Sequence, residues 1–170
     1  MRLNKVYWIW GLFLPVETKI LNEIKAKVQN KLKSPVFETH ITLAGPYFNI
    51  DKSFLNKLKT FGESNSSIVL NVDKYDFKQE IFKSFYISIK NSRQLEDIRK
   101  NIYDLSKFDL ESNYLPHISL SYGNHGIKEK KILISRLPTL SKTIKMSKIA
   151  FVEVDEDINL WKILECFDLN

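Results

Sequence analysis

Only one cysteine, Cys166, occurs in the chain, which excludes an internal disulfide and favours a reducing compartment, the cytoplasm. Glycine and proline are sparse, five of each, and they are scattered rather than gathered into a linker. Residues 1–170 are therefore expected to form one domain of two lobes. No apolar run approaches the roughly 18 to 20 residues of a membrane span, so no membrane partner is expected. Met1–Leu14 has a basic start and an apolar stretch but no small-residue cleavage site. Its two tryptophans, followed by Pro15, Val16 and Glu17, read as a first strand rather than a leader. Also missing are a P-loop, a dinucleotide-binding glycine fingerprint and the Ser-centred elbow of a triad hydrolase. Histidine is scarce as well, with three in the chain.

Two of those three stand in matching surroundings. His40 lies in FETHITLAGPY and His117, 77 positions later, in YLPHISLSYG. Each is followed two residues on by a hydroxyl, Thr42 or Ser119, with apolar residues between. In an extended strand alternate side chains share a face about 6.6 Å apart. His40 and Thr42 would then point one way and Ile41 and Leu43 into a core; His117 and Ser119, Ile118 and Leu120 repeat the arrangement. The flanking periodicities predict strand Val6–Leu14, helix Glu17–Lys33, strand Val36–Ala44 ended by Gly45-Pro46, helix Ser53–Phe61 capped by Asp51 or Ser53, and strand Ile68–Phe77. They continue with strand Ile81–Ile89, helix Arg93–Ser106 capped by Ser92, the H-x-S strand, helix Ile127–Arg136, and strands Thr143–Val154 and Leu160–Leu169. Strand, helix, motif strand, helix, strand thus occurs twice. Two α+β lobes facing each other would bring both histidines to one cleft.

Opening a phosphate ester in line requires a base on the attacking oxygen, an acid on the departing one, and donors to the non-bridging oxygens. Two histidines supply base and acid near neutral pH without a metal, and Thr42 and Ser119 supply donors. A zinc site would want a third ligand; His125, in a Gly-Asn-His-Gly loop, has no matching cysteine or carboxylate cluster and reads as a surface residue. No metal and no cofactor are expected. The net charge of +6 suits a phosphorylated ligand, although the lysines are spread along helices and read mostly as solvated faces.

With these motifs the sequence resembles the 2H phosphoesterases, named for two H-x-[ST]-x motifs, and among them the cyclic phosphodiesterases. The likeness runs the length of the chain through VYWIWGLFLP, SPVFETHITL, YLPHISLSYG and LWKILECFDL. It implies the bilobed, pseudo-twofold, LigT-like fold of α+β class, with two antiparallel sheets flanked by helices around a central cleft. It further implies catalytic His40 and His117, phosphate-holding Thr42 and Ser119, and substrate contacts from Tyr122, Trp10 and Phe82. The implied reaction is metal-independent hydrolysis of ADP-ribose 1'',2''-cyclic phosphate or nucleoside 2',3'-cyclic phosphates, the latter to 2'-phosphates, by a monomer. Action on RNA ends, 2',5'-oligonucleotides or cyclic oligonucleotide signals is the neighbouring alternative. A nucleotide-binding module without turnover is the alternative of another class. Thr39 departs from the family pattern, standing where proline commonly precedes the first motif histidine.

Overall fold

The computed structural model describes residues 5–106 and 113–170; the first four residues of the basic start lie outside them. Strand β1 (Val6–Phe13) leads into helix α1 (Pro15–Leu32), which begins two residues before the predicted Glu17. Pro15 suits that place, because a first-turn residue needs no N–H partner. Strand β2 (Ile41–Tyr47) starts later than the predicted Val36 and runs through Gly45-Pro46 instead of stopping there. The reason is a bulge: Ala44 faces Ile9 and Tyr47 faces Tyr7, so β2 carries an extra residue over this stretch. Gly45 allows it at φ 124°, and a Cβ there would meet the Trp8 ring at 2.8 Å.

Helix α2 (Lys52–Ser64) is capped by Asp51, which accepts from the Phe54 N–H at 2.8 Å, and strand β3 (Ile68–Asp76) follows. Strand β4 (Phe85–Ile89) is shorter than predicted, since Ile81–Lys83 forms a single helical turn that leaves Phe82 56% exposed. Helix α3 (Arg93–Ser106) has the predicted bounds, with Ser92 Oγ accepting from the Leu95 N–H. Strand β5 (His117–Ser121), helix α4 (Ile127–Ile134), strand β6 (Thr143–Val154) and strand β7 (Lys162–Asp168) complete the order.

All strand pairs are antiparallel. Where two sheets were expected, the hydrogen bonding is continuous: β1-β2-β5-β4-β3-β6 closes on itself through a β1–β6 pairing, and β7 adds to β6. The twelve-residue β6 makes this possible, because its first residues pair with β3 and its later ones with β1. Exchanging β1 with β4, β2 with β5 and β3 with β6 leaves the ring of pairings unchanged, so the repeat is a pseudo-dyad. Its axis passes by the one β2–β5 pair, Ile41 with Ile118. Each of these isoleucines directly follows a motif histidine.

Alternation along the strands separates two faces. Ile9, Phe13, Ile41, Leu43, Ile87, Ile118 and Leu120 enter one buried cluster with the apolar stripes of the helices. Trp8, Trp10 and Leu12 belong to a separate cluster with Ala150, Val152 and Trp161, on the opposite face of the strands. Burial of some thirty apolar side chains in the first cluster is the main stabilising term.

Candidate active site

On that second face lies a cleft of about 330 Å³ lined by His40, Thr42, His117, Trp10, Tyr122 and Phe82, among others. Six of the seven site residues expected from sequence thus meet in one concavity. Ser119 is the seventh. It is 5% exposed and does not line the cleft, with its side chain near enough to the Tyr122 hydroxyl to pull that group's pKa down against the effect of burial. His125 is elsewhere, its Nε2 on the carbonyl of Tyr122.

Both motif histidines are fixed in the same manner. The Nδ1 of His40 is 2.7 Å from the Glu38 carbonyl and the Nδ1 of His117 is 2.7 Å from the Leu115 carbonyl. A carbonyl only accepts, so each Nδ1 carries the hydrogen and each neutral ring keeps its lone pair on Nε2. Burial pushes the His40 pKa down to about 3, opposed by its backbone hydrogen bond and reinforced by the charges of Lys25 and His117. Burial also lowers His117, again opposed by its backbone bond, with Lys83 and Lys78 adding to the lowering. The two rings are chemically alike and electrostatically different.

The aromatic neighbours obey the dyad too. Trp10 pairs across the ladder with Thr42, and Tyr86 with Ser119. Trp10 stacks on His40 at 3.6 Å between ring centres; Tyr86 meets His117 edge-on at 5.2 Å. Tyr122, whose hydroxyl burial pushes up to about 12, stacks on Phe37 at 4.0 Å, and Phe82 rests edge-on against it at 5.4 Å. Trp161 closes this wall, 5.7 Å from Trp10 and 5.8 Å from Tyr122.

Four contributors escaped the sequence reading. Tyr86 was visible in the alternation of FYISI, which turns Tyr86 away from the core beside Ile87. Trp161 had no local signal, because it reaches the cleft from the turn between β6 and β7. Lys25 and Arg99 are cations inside amphipathic helices, where a charged residue ordinarily marks the solvent side. Both are 4% exposed. Lys25 Nζ donates to the Phe37 carbonyl and, at 2.6 Å, to Thr39 Oγ1, which donates to Asn22 Oδ1 at 2.6 Å. Thr39 thereby ties the approach to His40 onto α1, a bond that proline in its place could not make. Ser34 joins the halves, its Oγ accepting from the Tyr122 N–H at 3.0 Å.

Among the described residues no three His, Cys, Asp or Glu side chains cluster as metal ligands would, and no helix is long and apolar enough to cross a membrane. Two ring nitrogens whose pKa values burial lowers to different extents, a strand hydroxyl and an aromatic wall suit acid–base chemistry on a phosphate carrying a flat group.

A family model described as the 2'-5' RNA ligase superfamily matches residues 15–158. Solved structures share the fold. Apo LigT of E. coli superposes with a TM-score of 0.64 at 11% identity, covering 98% of each chain. TT0787 of Thermus thermophilus gives 0.63 at 16% identity, over 96% of this chain and 97% of that one. Usb1 of Kluyveromyces marxianus gives 0.53 at 10% identity, over 98% of this chain and 97% of that one. LigT has also been crystallised with 3'-AMP, ATP and NADP+. No curated protein matches the sequence.

Proposed function

The chain belongs to the 2'-5' RNA ligase superfamily, that of the 2H phosphoesterases, and from that premise we propose that it is a metal-independent cyclic phosphodiesterase. Its substrates are ADP-ribose 1'',2''-cyclic phosphate or nucleoside 2',3'-cyclic phosphates. The observation that carries this reading is the pair of motif histidines in one cleft, each with Nδ1 bound to a carbonyl and Nε2 left for chemistry. The nucleotide complexes of LigT support a nucleotide ligand of this general size.

The unequal burial of the two rings supports a division of labour. His40, the more strongly depressed, remains neutral and acts as base: Nε2 takes a proton from water as its oxygen attacks phosphorus. His117, less depressed, is the acid, and a bound phosphate anion offsets the lowering of its pKa by opposite charge. It returns a proton to the departing ribose oxygen as the P–O bond breaks, leaving a 2'-phosphate when the 3' oxygen departs. Water is consumed and the enzyme's proton count is restored once His40 passes its proton back to His117 through solvent. The Thr42 hydroxyl donates to a non-bridging oxygen, and the aromatic wall of Trp10, Tyr122, Phe82 and Trp161 takes the base.

The test is turnover of a panel of cyclic phosphates by purified protein in EDTA, with products identified. Ring opening of a 2',3'-cyclic nucleotide to the 2'-phosphate is expected. Turnover confined to RNA ends or 2',5'-oligonucleotides would move the enzyme to the neighbouring branch. Tight nucleotide binding without turnover would make it a binding module, and activity restored by one particular metal would overturn the two-histidine mechanism.

A further inference from the structure

We propose that Arg99 forms a second anion subsite in the same cleft, one that takes a phosphoryl group of the ligand other than the group being opened. This rests on the reading of the cleft as a nucleotide site and goes beyond it in naming what the far part of the ligand must carry.

The dyad reveals the subsite. Leu21, Ile24, Lys25 and Val28 are buried along α1 with the same spacing as Leu95, Ile98, Arg99 and Ile102 along α3. Lys25 and Arg99 are therefore the same position in the two halves. Each cation also covers the aromatic ring three residues before its motif histidine: Lys25 lies 4.8 Å from the centre of Phe37, and Arg99 lies 3.3 Å from that of Tyr114. Yet they are used differently. Lys25 is occupied by the Phe37 carbonyl and the Thr39 hydroxyl, and it does not line the cleft. Arg99 does line it.

A guanidinium has five N–H donors. The Nε of Arg99 donates to the Leu43 carbonyl at 2.9 Å. Its terminal nitrogens have no hydrogen-bond partner, and no ion pair joins it to a carboxylate, among the described residues. Leaving a buried cation and its donors unmatched is costly. A planar fork held by stacking and one backbone bond, on a residue that lines a nucleotide cleft, matches a phosphate oxygen pair. Lys83 lines the same cleft and adds positive charge, against one acid, Asp155. The second phosphoryl group can be a 5'-monoester, as on a mononucleotide, or the next diester of an oligonucleotide; both present the same oxygens.

Calorimetric titration with three uncyclised ligands separates these sources: adenosine 2'-phosphate, adenosine 2',5'-bisphosphate, and the dinucleotide ApA ending in a 2'-phosphate. The wild type should bind at least one of the two-phosphate ligands roughly ten- to a hundredfold tighter than the monophosphate, the scale of one charge-assisted pair. Preference for the bisphosphate identifies a monoester, and preference for the dinucleotide a diester. Arg99→Gln should reduce the preference to less than about threefold, and Arg99→Lys, a point charge without the fork, should retain part of it. Equal binding of all three by wild type overturns the proposal, as does an Arg99→Gln protein that keeps the preference or loses all three ligands alike. Should that variant not fold, the guanidinium 15N resonance of Arg99 in wild type decides: it should move with the two-phosphate ligand and not with adenosine 2'-phosphate. An unmoved resonance sinks the idea. Because these titrations need no turnover, failure of the cyclic phosphates to react would count against the proposed reaction and leave the subsite standing.

Discussion

The indole of Trp10 lies flat on the imidazole of His40, 3.6 Å between centres and 6° between planes, whereas Tyr86 meets His117 at 62°. Equivalent strand positions thus hold the two histidines in different ways. A ring covered on one face and bonded at Nδ1 has little freedom left, which suits a base that must present Nε2 to one water. Edge-on contact leaves His117 more open to the cleft.

Replacing Trp10, which both covers His40 and lines the cleft, should act on the chemical step as well as on binding. Trp10→Ala is expected to lower kcat and to reduce stability by about 3–5 kcal/mol, the usual cost of emptying a buried aromatic site. Trp10→Phe should restore most of both, since a flat ring returns. Steady-state kinetics and melting curves on the two variants check this; a change confined to KM would leave the indole a ligand contact alone and remove its role in holding His40.

The rate should peak on the acid side. From histidine's ordinary range the bell would be centred on neutrality, but burial lowers both rings. With His40 required neutral and His117 protonated, kcat/KM should rise as pH climbs past about 3 and fall as it passes the lowered pKa of His117, below 6.5. The kcat bell, which reports the complex, should lie at higher pH because bound phosphate raises both. A kcat/KM profile flat from about pH 5 to 7.5 would reject this assignment of acid and base.

Stability should fall with acid for the same reason. His40 has an ordinary value of 6.5 unfolded and about 3 folded, so the unfolded chain takes up a proton that the folded one declines. The stability held by neutral His40 is complete above 6.5 and is lost as pH falls toward 3, at no more than about 1.4 kcal/mol per pH unit. His40→Asn removes this share. Denaturant unfolding between pH 6.5 and about 5, above most carboxylates, should show a shallower slope for the variant, and parallel slopes would count against a buried neutral His40.

The two motif hydroxyls should separate. Thr42 lines the cleft, and Thr42→Val keeps a β-branched shape while deleting the donor, so kcat should drop on the order of 10²-fold with little change in ligand affinity. Ser119 does not line the cleft and acts on the Tyr122 hydroxyl from close by. Ser119→Ala should therefore weaken ligand binding through a displaced Tyr122 as well as slowing turnover, and full kinetic and binding data on both variants would expose equal effects if the distinction is wrong.

Much of this was legible in the sequence because it depended on local period. Alternation around His40 and His117 fixed which residues face away from the core, and the helix stripes fixed α1 and α3. What was hidden depends on contacts between distant segments. Gly45-Pro46 reads as a break, and only the register against β1 turns it into a bulge. Ser119 matches Thr42 in pattern, yet it is buried and does not line the cleft. Lys25 and Arg99 look like solvated residues until the carbonyls of Phe37 and Leu43 are brought to them. Trp161 arrives from the far end of the chain.

The closed ring of strands also sets a timetable for synthesis. Strand β1 is bonded along its whole length to β6, Val6 opposite Val154 and Phe13 opposite Met146. A ribosome makes the first of these partners long before the second, and β4 likewise takes β3 from the other half. Neither half can close its own sheet. Ala150, Val152 and Trp161, which complete the cluster around Trp8 and Trp10, are made last, so a nascent chain of this design keeps part of that apolar face exposed until β6 and the turn after it have been translated.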